Sequence, residues 1–308
     1  MTESFYPINL PGKIPDNKLS FDLFIHFKGQ YLCFRKAQTE LPSALLDKLR
    51  SQKVSPLFVQ SAKMDSYNDL IKSLLEQVLG KQANLTDAQR VDILSTSATS
   101  SLRQLTDNPK DPLAYNMTAL SSKGMIDLLL RNPFALKASF DDSMTEGEIL
   151  IHSRNVAILA VALGRKMGLK IETLLNLAIA GLLHDVGIAK ATEEERTMFK
   201  LPAESLNKDQ RRLYRRHALR SEEVLRENEL ISPPVLELIG SHEFTLSDSP
   251  DMSLPAQVLS MANLFDKKVT IHKMGPLDAY KIIKVSEMGN FHFRMIAALG
   301  EVLKITLF

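Results

Sequence analysis

The sequence predicts an α+β N-terminal domain followed by an all-α helical bundle. Phe21, Leu23, Ile25 and Phe27 alternate with Asp22, Phe24 and His26, the period-two pattern of a half-buried strand. From Leu85 onward the pattern turns helical. Thr173 to His184 is apolar nearly all round, which marks the buried centre of a bundle. At 308 residues the chain is long enough for two domains. The expected division is a mixed α/β regulatory or interaction domain over 1–86, a helical connector over 87–142 and the helical domain over 143–308.

Each element has a local reason. Lys28-Gly29 is a two-residue turn, so Gln30 to Arg35 returns as the second strand of a hairpin. A helix from about Pro42 to Gln52, a short strand at Pro56–Gln60 and a helix from about Tyr67 to Leu79 complete the unit. Thr86 with Gln89 offers a capping box for the connector, whose Leu94 to Leu102 stretch is rich in Ser and Thr. Asn108-Pro109 and Asp111-Pro112 break it. Ser143 to Glu146 offers another capping box, for a helix that stops at Gly168 with Arg165 and Lys166 in its last turn. Further helices are expected over Asn207–Asn228, from Ser232-Pro233-Pro234 to Glu243, from Pro255 to Lys268, from Leu277, and from Phe291 to the end.

Composition narrows the function. Lys plus Arg is 38 and Asp plus Glu is 36, a net charge of +2 that gives no reason to expect nucleic acid or an acidic membrane. With Cys33 the lone cysteine, neither an internal disulfide nor a cysteine-rich zinc site can form. The N-terminal stretch lacks an apolar run, and Leu174 to Leu183 is short of the roughly 20 residues of a bilayer span. A cytoplasmic protein is expected.

The seven histidines are His26, His152, His184, His217, His242, His272 and His292. Four fall on successive predicted helices, and His184 is followed by Asp185 at the end of the most apolar one. An ionised Asp there is costly without a cation or hydrogen bonds. Glu148 lies four residues before His152, so both share a helix face. Imidazole and carboxylate without thiolate suit iron, manganese or zinc, and a shared carboxylate suits two metals. Any one of these histidines taken alone is an ordinary core or surface residue; the ordered set carries the signal.

His152, the doublet in LLHDVG (182–187), His217 and His242-Glu243 resemble the metal-dependent HD superfamily of phosphohydrolases. More narrowly they resemble its HD-GYP branch, phosphodiesterases for cyclic di-GMP, and the likeness runs from about Glu148 to the C-terminus. VLSMANLFD (258–266) is similar to the family's aspartate-bearing helix, and Leu277 to Leu303 to its closing helix pair. The resemblance implies an HD-type bundle and two divalent metals per chain, iron ahead of manganese or zinc. It places His152, His184 and Asn263 or Asp266 on one metal and His217 and His242 on the other. Asp185 and a hydroxide would bridge them, and Glu148 would stand behind them or join a third. His184, Asp185 and His217 would carry the catalysis.

The pattern departs from the family in four places. Ile188 stands where the family has a lysine, Ser241 where it has a histidine and Asn263 where it has the metal-binding aspartate. Glu243 to Leu254 lacks the glycine-tyrosine-proline signature. The metal site is therefore expected to survive and the substrate apparatus to be altered. On the basic helix of His217 most arginines should be solvated; Arg216 and Arg220, with Ser241, are the candidate substrate contacts. Three readings follow: a weak cyclic di-GMP phosphodiesterase, a metal- and nucleotide-binding signalling protein that turns over little, and a metal-free scaffold, which gives no reason to keep the histidines. Residues 1–86 would serve a protein partner.

Overall fold

The computed structural model describes residues 3–52, 54–80, 84–133, 148–202 and 205–306. Strands β1 (Phe5–Ile8), β2 (Leu23–Phe27), β3 (Gln30–Arg35) and β4 (Leu57–Gln60) form an antiparallel sheet in the order β1-β4-β2-β3. Lys28 and Gly29 both hold left-handed φ values, 47° and 79°. That geometry matches the twist of the strands it joins and fixes Phe27 opposite Gln30. β1 was not among the expected elements; four residues containing Pro7 are too few to show alternation. Leu23 and Val59 of the sheet share a core with Tyr67, Ile71 and Leu75 of α2 (Met64–Leu79), and α1 (Ser43–Ser51) adds Leu46 and Leu49.

The stretch expected as a connector forms two long packed helices, α3 (Asp87–Asp107) and α4 (Pro112–Arg131). The Thr86–Gln89 capping box forms, and Asp111 caps α4 through the Leu113 and Ala114 amides. The Ser/Thr-rich run is the α3–α4 contact itself. Ser121 Oγ donates to Ser97 Oγ at 2.8 Å, and Thr118 Oγ1 to Ser101 Oγ at 2.9 Å, which satisfies buried hydroxyls between closely spaced backbones. Arg50 ties the N-terminal unit to α3, donating to Leu10 O at 2.7 Å and Asp92 Oδ1 at 2.9 Å.

The helical domain follows as α5 (Glu148–Lys166), α6 (Ile171–Leu183), α7 (Glu193–Phe199), α8 (Lys208–Leu225), α9 (Pro233–Ser241), α10 (Leu254–Asp266), α11 (Pro276–Ser286) and α12 (Phe293–Thr306). The Ser143–Glu146 capping box lies outside the described residues. α6 is central as expected: it packs on α4, α5, α9 and α10, and Leu177, Ala180 and Leu183 are fully buried. Truncating such a leucine to alanine costs about 2–5 kcal/mol. Ile171–Lys190 has the length and hydropathy of a membrane span, but 72% of it is buried inside the protein, as befits a core helix. α7 was not foreseen, although its Thr192–Glu195 capping box is legible in the sequence.

Two glycines bring the helix ends together. A Cβ on Gly181 would lie 2.5 Å from Ala157 Cα, so only glycine lets α6 approach α5 this closely one turn before His184. At Gly187 a Cβ would lie 2.5 Å from Ser221 N. The Gly187 amide donates to Ser221 Oγ at 2.9 Å and seats the turn after Asp185 on α8, beside His217.

Candidate metal centre

α5 contributes His152, α6 ends at His184 and Asp185, α8 contributes His217, α9 ends at His242 and Glu243, and α10 contributes Asn263. His152, His184, Asp185, His217, His242 and Asn263 are all buried. Asp185 lies at the middle. Its Oδ2 is 3.2 Å from His184 Nε2 and 3.6 Å from His152 Nε2; its Oδ1 is 3.3 Å from His217 Nε2 and 3.5 Å from His242 Nε2. Neither oxygen completes a hydrogen bond.

The helix termini fix the histidine tautomers. His184 Nδ1 lies 2.8 Å from Gly181 O, His217 Nδ1 2.5 Å from Tyr214 O and His242 Nδ1 2.7 Å from Ile239 O. A carbonyl can only accept, so each Nδ1 carries a proton, and once its Nε2 is deprotonated each ring turns a lone pair inward. His152 Nδ1 donates to Asp266 Oδ2 at 2.8 Å, with the same result. The inward Nε2 atoms then face one another, His152 and His184 at 3.2 Å, His217 and His242 at 3.0 Å. Asn263 Nδ2 donates to Glu243 Oε1 at 2.9 Å, which leaves its Oδ1 facing His152 Nε2 at 3.0 Å.

Two groups of imidazole nitrogens thus converge on opposite oxygens of one carboxylate, an arrangement that needs protons or metal cations between them. The spacing fits dications. Ligands about 2.1 Å from a metal lie about 3.0–3.4 Å from their neighbours, and the contacts here run from 3.0 to 3.6 Å. His152, His184, Asp185 and Asn263 would hold one metal; Asp185, His217 and His242 would hold the other.

Protonation in the metal-free protein has the same origin. Burial would raise the Asp185 carboxyl, but the close imidazoles of His184, His217 and His242 hold it well below the ordinary range. Burial would likewise lower His217, yet Asp185 and Glu243 raise it to about 9. His242 is pushed down, mainly by burial. Glu243 is held below its usual value because His217 outweighs its burial.

Several of the expected site residues lie apart from this cluster. Asp266 lies on the Nδ1 side of His152, away from the Nε2 that faces Asp185. It stands behind His152, with Oδ2 on Nδ1 and Oδ1 accepting from Thr270, and fixes the ring's orientation. Arg220 is turned away and forms a two-pronged pair with Glu195 at 2.7 and 2.9 Å. Arg216 is exposed, and Ser241 Oγ donates back to Glu237 O at 2.8 Å. Glu148 opens α5 one turn before His152, and its side chain lies outside the described residues. His26 sits far off in an aromatic group with Tyr31 and Phe58.

A cleft of about 380 Å³ opens beside His242 and Glu243, between Arg211, Tyr214 and Arg215 of α8 and Asn263 and Lys267 of the α10 region. The arginines facing it are one or two turns earlier on α8 than those expected. Arg215 is held by Asp248 at 2.6 and 3.0 Å, and Arg211 Nε by Leu206 O at 2.9 Å. Lys267 was missed. Its Nζ lies 2.7 Å from Glu243 Oε1, contacts Tyr214 Oη, and rests on the rings of Phe199 and Tyr214 at 4.8 and 4.7 Å. Burial pushes this ammonium down to about 8. Its place four residues after Asn263, on the same helical face, was the signal available.

Residues 149–267 match the HD domain family model. No curated protein matches the chain. Among solved structures, the chain is similar to Bd1817, an HDG"Y"P protein from Bdellovibrio bacteriovorus: 20% identity, 98% of this chain and 100% of that one covered, TM-score 0.79. A second is the HD domain of the L. monocytogenes phosphodiesterase PgpH, in complex with cyclic-di-AMP, at 14% identity over 59% of this chain and 94% of that one, TM-score 0.39. The first likeness extends the agreement in fold to the N-terminal sheet and the connector helices. With its helices, its histidine order and its buried His184-Asp185 doublet in place, the chain carries an HD domain over residues 149–267.

Proposed function

We propose that this protein is a metal-dependent phosphodiesterase of the HD-GYP branch that hydrolyses cyclic di-GMP slowly. The observation that carries this reading is the placement of imidazole Nε2 pairs against opposite, otherwise unbonded oxygens of Asp185. Such a site suits two divalent metals; its nitrogen and oxygen donors accept iron, manganese or zinc, and the family resemblance puts iron first. Bound there, the metals would supply Lewis-acid chemistry, activating water and offsetting charge on the reacting phosphate. The protein's own part is to hold that chemistry in place. Asp185 spans both positions, the carbonyl-bound Nδ1 atoms lock His184, His217 and His242, and Asp266 locks His152. The cleft reaches His242 and Glu243, where a diester would enter. The fold shared with the Bdellovibrio HDG"Y"P protein supports the branch assignment. In this reading residues 1–86 serve a signal or protein partner, 87–142 connect and 143–308 act.

A second reading, a nucleotide-binding signalling protein with little turnover, is favoured by Asn263, which brings an oxygen to the first metal position without a charge. Metal analysis of the purified protein followed by a cyclic di-GMP hydrolysis assay tests both. About two metals with slow, metal-dependent hydrolysis supports the enzyme; two metals with binding and no hydrolysis supports the second reading. Absence of metal removes both.

A further inference from the structure

We propose that Lys267 is the phosphate-binding cation of this cleft, supplying from α10 a positive charge beside the metal centre. The inference rests on the phosphodiesterase reading and deepens it.

The position is unusual for a lysine. Lys267 is buried, and its ammonium lies against the stacked rings of Phe199 and Tyr214, in the cleft wall next to Glu243. Burying an ammonium is costly, and Glu243 does not require it: its Oε1 already accepts from Asn263 Nδ2 at 2.9 Å and Tyr214 Oη at 3.1 Å. The ammonium has three N–H groups, of which Glu243 and Tyr214 take two. The third remains for a ligand in the cleft. Glu243 Oε1 is 3.5 Å from His217 Nε2 and 3.6 Å from His242 Nε2, so Lys267 is one contact away from the second metal position. A phosphate oxygen reaching that position passes within reach of Nζ. Of the cleft arginines, Asp248 grips Arg215 with both prongs, while Arg211 gives its Nε to Leu206 O and stands exposed toward the cleft mouth, farther from Glu243 in the wall than the buried ammonium. The aromatic walls exclude water on the protein side of the ammonium and strengthen its attraction for an anion.

The rival role is purely internal, with Lys267 serving only as counter-ion to Glu243. Three variants of the full-length, metal-loaded protein separate the two: Lys267→Met, Lys267→Arg and the double variant Lys267→Met/Glu243→Gln, which removes the ion pair together. The readouts are metal content, affinity for inorganic phosphate by calorimetry, and hydrolysis of bis(p-nitrophenyl) phosphate and cyclic di-GMP.

For a phosphate-binding lysine, Lys267→Met keeps both metals, binds phosphate about tenfold more weakly and loses about 10²-fold in kcat/KM. Lys267→Arg recovers part of both losses, and the double variant stays as weak as the single one. Recovery of wild-type phosphate affinity in the double variant, unchanged affinity in Lys267→Met, or no phosphate binding by the wild type each overturns the inference. A wild type that binds phosphate through Lys267 but cleaves neither diester refutes the phosphodiesterase reading and leaves Lys267 as the anion site.

Discussion

Replacing Asp185 with alanine removes the group on which both metal positions depend. Four Nε2 atoms lie 3.2–3.6 Å from its two oxygens, so the substitution takes a ligand from each position and the sole bridge between them. The consequence can be sized by linkage. A metal at 100 times its Kd stabilises the folded state by about 2.7 kcal/mol, so two independent positions give about 5 kcal/mol. For a chain of this size about 1 kcal/mol moves Tm by about 2 °C, which puts the shift near 10 °C. Scanning calorimetry with and without chelator measures it, alongside metal content by mass spectrometry. The wild type should melt about 10 °C higher with metal; Asp185→Ala should melt at one temperature in both conditions and hold less than one metal per chain. A variant that retains two metals and the full shift would show that Asp185 is not the bridge.

Metal affinity should depend on pH with a defined sign. His217 in the metal-free protein is raised to about 9 and must shed its Nε2 proton to bind metal, so apparent affinity should rise about tenfold per pH unit from 7 to 8 and level off above 9, as followed by competition with a chelator. Asn263→Asp should tighten the first metal position about tenfold by adding charge, partly offset by repulsion from Glu243, 2.9 Å from the present Nδ2; an unchanged titration curve would count against Asn263 as a ligand. Gly181→Val should cost at least 1–3 kcal/mol by overpacking against Ala157 and should lower metal occupancy, measured by denaturant unfolding and metal analysis. His292→Ala should leave metal content at the wild-type value.

The fold was legible where pattern and chemistry coincide. The hairpin followed from alternation plus Lys28-Gly29, and α6 from an apolar surface with no polar face to turn outward. β1 was not legible because pairing with β4, and nothing within its four residues, makes it a strand. The histidines at the metal centre were found because each occupies a separate helix in a fixed order. Their neighbours were harder to find. Asp266 is separated from Asn263 by less than one turn, and the orientation of the His152 ring decides that Asn263 faces its Nε2 and Asp266 its Nδ1. Arginine roles on α8 depend on distant acids: Glu195 withdraws Arg220 and Asp248 holds Arg215 at the cleft, pairings no local periodicity reveals. Lys267 escaped notice because its burial depends on Phe199 and Tyr214, which belong to two other helices.

The central claim is that Asp185 bridges two metals, one between His152 and His184 and one between His217 and His242. Anomalous diffraction from crystals of the protein grown with iron or manganese locates such metals directly. Two peaks about 3.5–4 Å apart, flanking the Asp185 carboxylate, are the predicted result. A single peak, or none, within reach of those four imidazoles would contradict it.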